Sequence, residues 1–160
     1  MGRTMTEPAV LFVCLGNICR SPMAEGAFQA EAERAGLQVT IESAGTADYH
    51  VGEPPDPRAI QTARAHGVDI ASLRGRQLVA QDFHRFTHVL VMDHANLAGA
   101  RAIVPANAPT RPMLLLDLVK GREGAAVADP YYGGEENFED TWDDVSRAAR
   151  ALVAALLAPD

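Results

Sequence analysis

Cysteine is scarce in this chain: 160 residues contain two, Cys14 and Cys19, five positions apart. Two thiols so close together make no disulfide framework of the kind that staples small secreted domains, and they point to a reducing compartment, the cytoplasm. Long apolar runs are missing as well. None approaches the ~20 residues of a membrane span, and the N-terminus lacks the charged, apolar and small-residue succession of a secretory signal. Positive charge is the minority sign: 14 Lys and Arg against 21 Asp and Glu leave a net charge of -7, with the basic residues dispersed. That balance disfavours a nucleic-acid surface or attraction to anionic membranes, while leaving room for a local anion site. His84 and His88 with the two cysteines invite a zinc reading, but the pairs lie too far apart for a finger and His88 begins a strand, so no metal and no cofactor are expected.

What is present fits one domain, residues 8–160, preceded by a flexible tail over residues 1–7. Met1-Gly2-Arg3-Thr4-Met5-Thr6 matches an N-myristoylation pattern, one too permissive to carry weight. Strand-like runs at Ala9–Val13, Val39–Ser43, His88–Met92 and Met113–Leu116 alternate with helical segments. This alternation predicts an α/β fold, with a mostly parallel four-stranded sheet flanked by helices. Gly36 marks the end of the first helix, Asp56 and Pro57 read as cap and first residue of the second, and Gly67 ends it. Trp142, Val145, Ala149, Leu152, Val153, Leu156 and Leu157 fall at helical spacing and predict a docked C-terminal helix. Between Leu116 and Asp140 lies a long glycine- and charge-rich stretch without periodicity, a form that in compact domains is functional or mobile.

The densest chemistry follows the first strand, where Cys14 to Pro22 read Cys-Leu-Gly-Asn-Ile-Cys-Arg-Ser-Pro and a helix opens at Pro22. In parallel sheets ligands sit beyond the carboxyl ends of strands. Amides of Leu15, Gly16, Asn17, Ile18, Cys19, Arg20 and Ser21, converging at a helix N-terminus, would surround an anion and favour a thiolate at Cys14. Gly16 leaves room for close approach, and Asn17 tolerates the left-handed conformation a tight loop needs. Ile18 offers an apolar wall. Arg20 offers a planar fork for two phosphate oxygens, and Ser21 either caps the helix or donates to the Cys14 sulfur. Neither the Walker loop nor the dinucleotide fingerprint fits. Cleaving a phosphate ester also needs a proton for the departing oxygen. Two Asp-Pro pairs compete for that role: Asp56-Pro57 has an explanation as a helix start, whereas Asp129-Pro130 sits in the long aperiodic stretch, which favours Asp129.

With these motifs the chain resembles the low-molecular-weight protein tyrosine phosphatases. The resemblance rests also on Ser43-Ala44-Gly45-Thr46, Gly52 with Asp56-Pro57-Arg58, Met92-Asp93 with Asn96, and Asp129-Pro130-Tyr131-Tyr132-Gly133. It implies hydrolysis of phosphotyrosine through a cysteinyl phosphate, with Cys14 as nucleophile, Arg20 holding the phosphoryl oxygens and Asp129 as general acid and then base. It also implies that Asn17, Ser21 and Ser43 support the loop, and that Tyr49 with Tyr131 and Tyr132 borders the substrate pocket. Phosphotyrosine proteins are then the partners, together with a tyrosine kinase acting on Tyr131 or Tyr132, and the protein is expected to be a monomer.

The family often has a histidine in the loop-supporting network where this chain carries Leu73, so support must come from another group. Cys19 is expected to trap oxidised Cys14 as a reversible disulfide. Arginine phosphatases of the superfamily share the loop but tend to carry threonine at the place of Ile18, and arsenate reductases need further cysteines. A catalytically idle phosphotyrosine-binding or redox-sensing module is the alternative from another class.

Overall fold

An apolar run on both faces, Ala9–Cys14, forms β1 inside a four-stranded parallel sheet of order β2-β1-β3-β4. Its partners are β2, Thr40–Gly45, and β3, His88–Val91; β4, Pro112–Leu114, completes the far edge. The computed structural model describes residues 7–159, so the tail expected over residues 1–7 lies, Glu7 apart, outside the described residues. Parallel strands need crossover helices that cover both faces, which is why β1 is apolar throughout rather than alternating. Val10 and Phe12 pack with Phe28 of α1 (Arg20–Ala35), Ala59 of α2 (Pro57–Ala65) and Phe138 and Leu152 of α5 (Glu135–Leu157). On the opposite face Leu11 and Val13 pack with Phe83 of α3 (Asp82–Arg85) and Leu97 of α4 (His94–Arg101).

The expected strands are all present, with shifted ends. The second runs on to Gly45 because Gly45 pairs with Cys14 and bridges to Gln77. The fourth stops at Leu114, where Leu115–Leu118 tighten into a 3-10 turn. The first helix opens at Arg20, two residues before Pro22, since the Cys19 carbonyl already accepts from the Met23 amide at 3.2 Å. Pro22 still sits in the first turn, where its missing N–H costs no helical bond.

Gly36 ends α1 in the left-handed region at φ 70°. Asp56 caps α2, its side chain accepting from the Arg58 amide at 2.8 Å, and Pro57 follows as first residue. The second helix ends at Ala65, and the chain turns away at Gly67 with φ 82°. The long aperiodic stretch is shorter than expected, because α5 begins at Glu135 with a polar first turn that has no apolar signal. Trp142, Val145, Ala149, Leu152 and Val153 are buried as the spacing predicted, whereas Leu157, at the helix end, is exposed.

Candidate active site

Cys14 ends β1, one of the two inner strands of the sheet, and the loop after it is fastened at several points. The Thr46 amide donates to Cys14 O at 2.9 Å, the Ala47 amide to Leu15 O at 3.0 Å, and the Asp56 amide to Ile18 O at 2.8 Å. Such close backbone approach requires Gly45, where a Cβ would come within 2.8 Å of Leu15 O. Asn17 takes the left-handed conformation at φ 60°, alone among the described non-glycine residues, and its side chain stabilises the turn. Its Nδ2 donates to Ser21 Oγ at 2.7 Å and to Ser43 Oγ at 3.0 Å, while its Oδ1 accepts from the Arg76 amide at 3.0 Å.

The Cys14 sulfur accepts from the Asn17 amide at 3.3 Å and lies 3.1 Å from Ser21 Oγ. Of the two roles open to Ser21, the structure therefore has the sulfur contact. The helix cap is Cys19, which makes no side-chain capping bond. Burial, reinforced by the Asp56 carboxylate, pushes the Cys19 thiol far above the ordinary range.

The buried Arg20 carries the positive charge of the site. Its Nη1 donates to Asp93 Oδ2 at 2.7 Å and to Val127 O at 2.9 Å, and its Nη2 stands 3.7 Å from Asp129 Oδ2. Asp129 is about half exposed, and its Oδ1 accepts from the Tyr131 amide at 3.1 Å, a turn that directs the carboxylate toward Arg20. Cys14, Arg20 and Asp129, drawn from two distant segments, line one pocket of about 250 Å³. Leu15, Ile18, Tyr49, Tyr131 and Tyr132 form its apolar walls, and Gly16, Cys19 and His50 complete it. A Cβ on Gly16 would press on the His50 ring at 3.1 Å.

Asp56, the rival acid, is engaged as helix cap, and its hydrogen bonds to Arg58 hold its carboxyl below the usual range. Leu73, at the place of the family histidine, is part-buried against the core and contributes no polar group. Support comes instead from the Arg76 amide and from Glu25, whose Oε1 accepts from Ser43 Oγ at 2.7 Å. Burial raises the Glu25 carboxyl above its ordinary 4.5. Sequence reasoning assigned no role to Glu25, Asp93, His50 or the Val127 carbonyl. Only Asp93 had a signal, its place in the Met92-Asp93 motif.

A cysteine at a tight turn, a guanidinium beside it and a carboxylate from a separate loop are the groups that a cysteine-dependent phosphatase requires. The family model described as low molecular weight phosphotyrosine protein phosphatase matches residues 9–159. A protein of that name from Schizosaccharomyces pombe is 42% identical over 136 residues, covering 83% of this chain and 86% of its own. The solved structure of YfkJ from Bacillus subtilis is 35% identical, with a TM-score of 0.88 and 97% of each chain covered. A Drosophila arginine phosphatase is also similar in structure, at 30% identity and a TM-score of 0.86, with 94% of this chain and 99% of that one covered. The chain belongs to the low molecular weight phosphotyrosine protein phosphatase family.

Proposed function

We propose that this protein hydrolyses phosphotyrosine in other proteins through a cysteinyl-phosphate intermediate. The observation that carries the reading is the convergence of Cys14, Arg20 and Asp129 on one pocket with apolar walls. The Cys14 sulfur attacks phosphorus, forming the S–P bond as the P–O bond to the ring breaks, and Asp129 gives its proton to the phenolic oxygen. Water then attacks phosphorus and passes a proton to Asp129, and the S–P electrons return to Cys14 as thiolate.

The Arg20 fork and the loop amides from Leu15 to Ser21 hold the equatorial oxygens in both steps, where charge develops. Tyr49, Tyr131 and Tyr132 border the pocket and give an aryl ring surfaces on which to stack.

Hydrolysis of phosphoarginine uses the same loop, and the likeness to an arginine phosphatase keeps it as the second reading. Ile18 in the pocket wall favours the aryl substrate. The test is kcat/KM for phosphotyrosine and phosphoarginine peptides in parallel, without added metal and with Cys14→Ser as blank. Preference for phosphotyrosine that vanishes in the blank supports the reading; preference for phosphoarginine overturns the substrate; no Cys14-dependent turnover favours a binding or redox module.

Cys14 and Cys19 are free thiols, which fits a cytoplasmic site of action. The protein acts as a monomer on this reading. Tyr132, 95% exposed, is the tyrosine more open to a kinase, since Tyr131 is packed under Arg58.

A further inference from the structure

Arg58 takes no part in the chemistry above, yet it touches both halves of the site. On one side it is held by Asp56: Nε and Nη2 donate to Oδ1 and Oδ2 at 3.0 and 2.9 Å. The Asp56 amide in turn donates to Ile18 O at 2.8 Å, so this fork is fastened to the phosphate loop itself. On the other side the guanidinium lies 4.7 Å from the Phe138 ring centre and 5.4 Å from that of Tyr131. Phe138 is fully buried in the first turns of α5 and gives the cation a fixed surface.

Tyr131 belongs to the turn that presents the general acid, since its amide donates to Asp129 Oδ1. That turn has few other fastenings. The chain is anchored before it by Val127 N to Met92 O at 2.8 Å and by Thr141 Oγ1 to Ala128 O at 3.3 Å. From Asp129 to Gly133 the hydrogen bonds among the described residues are internal, Tyr131 N to Asp129 Oδ1 and Gly133 N to Pro130 O. The charged groups that meet this segment from outside are Arg20, 3.7 Å from Asp129, and Arg58 against Tyr131, while Pro130 is buried and the Asn137 side chain packs against Gly133.

We propose that Arg58 is a positioning residue for the general acid: clamped by Asp56 to the phosphate loop, its guanidinium packs against Tyr131 and sets where Asp129 stands relative to the scissile oxygen. This rests on the reading of Asp129 as acid. A flat guanidinium suits the task because one edge makes the bidentate carboxylate bond while its faces remain free for rings. Global stability depends on it little, because the Asp56 cap on α2 runs through the Arg58 backbone amide and survives a change of side chain. The Arg58 side chain is itself 44% exposed, so its end of the pair with the 10% exposed Asp56 remains open to solvent.

Proton donation matters in proportion to the basicity of the leaving group, so the experiment reads kcat/KM across aryl phosphates, from phenyl phosphate to dinitrophenyl phosphate. Arg58→Met, Arg58→Lys and the reference variant Asp129→Asn are compared with the parent. Asp129→Asn should lose about 100-fold or more on phenyl phosphate and little on the dinitrophenyl ester. Arg58→Met should lose about 10-fold on phenyl phosphate and less than about 2-fold on the dinitrophenyl ester, with Arg58→Lys between it and the parent.

Equal losses across the series, or none, in an Arg58 variant beside a steep series for Asp129→Asn would overturn the role of Arg58 alone. A flat series for Asp129→Asn would overturn the acid assignment, and Arg58 with it. Should Arg58→Met not fold, Arg58→Lys carries the same test through the same change of slope.

Discussion

Arg20 Nη1 and Asp93 Oδ2 meet at 2.7 Å, joining the phosphate loop to the N-terminus of α4 across 73 residues of chain. The same carboxylate caps α4 through Oδ1, which accepts from the Asn96 amide at 2.7 Å. Asparagine caps a helix about as well as aspartate. Asp93→Asn should therefore keep the α4 cap yet lower both the melting temperature and kcat/KM, the latter about 10-fold or more, because the buried guanidinium loses the charged partner that orients it. Calorimetry beside steady-state kinetics checks both halves, and unchanged kinetics would remove Asp93 from the site.

Cys14→Ser should abolish turnover yet retain phosphate affinity, since the loop amides and Arg20 remain. Inorganic phosphate titrated into the variant by calorimetry tests this. Asp129→Ala should slow phenyl phosphate cleavage by about 100-fold or more. Ordinary turnover by the serine variant would end the covalent mechanism.

Glu25 predicts a pH dependence of stability. Its folded-state carboxyl titrates above the ordinary 4.5, chiefly because it is buried, so the folded protein holds that proton more tightly than the unfolded chain. The associated stability is fully present below the unfolded-state value and is lost as pH rises through the raised folded one. Glu25→Gln keeps an acceptor for Ser43 and cannot ionise. Its Tm should gain on that of the parent as pH rises above about 4.5 and then level off. A constant difference across that window would show that Glu25 carries no such shift.

Cys19 and Cys14 line the same pocket. If peroxide converts Cys14 to a sulfenic acid, attack by the Cys19 sulfur forms a disulfide and releases water, a state that thiols reverse. Cys19→Ser should lose activity to peroxide with little recovery on adding dithiothreitol, whereas the parent recovers. Equal recovery in both proteins would dismiss the protective role.

Tyr49 is exposed and lines the pocket that holds Cys14, Arg20 and Asp129. Tyr49→Ala should raise KM for aryl phosphates several-fold, on the scale of one lost aromatic contact of roughly 1 kcal/mol, and leave kcat near its parent value. A substrate profile identical to the parent would count against the assignment.

The phosphate loop was legible in the sequence because its working groups are contiguous: one strand end, one turn and one helix start carry Cys14, Asn17, Arg20 and Ser21. Asp129 was legible more weakly, through a proline that restrains it and a stretch without periodicity. Asp93 and the Val127 carbonyl were hidden for a physical reason, since they reach Arg20 from 73 and 107 residues away and only the sheet order brings them near. Glu25 was hidden differently. On an amphipathic helix a glutamate reads as solvent-facing, and its burial follows from α1 lying against β2, where Ser43 waits.

Strand β1 pairs with β2 on one edge and with β3 on the other, so Cys14 is attached to an inner strand of the sheet. Amides there should exchange with deuterium far more slowly than those of the Tyr131 and Tyr132 turn, whose hydrogen bonds can break singly. Heat should therefore first blur the acid side of the pocket while the thiol side stays assembled until the cooperative transition. A thiol-directed phosphate mimic would then continue to label Cys14 at temperatures where aryl phosphate turnover has already begun to fail.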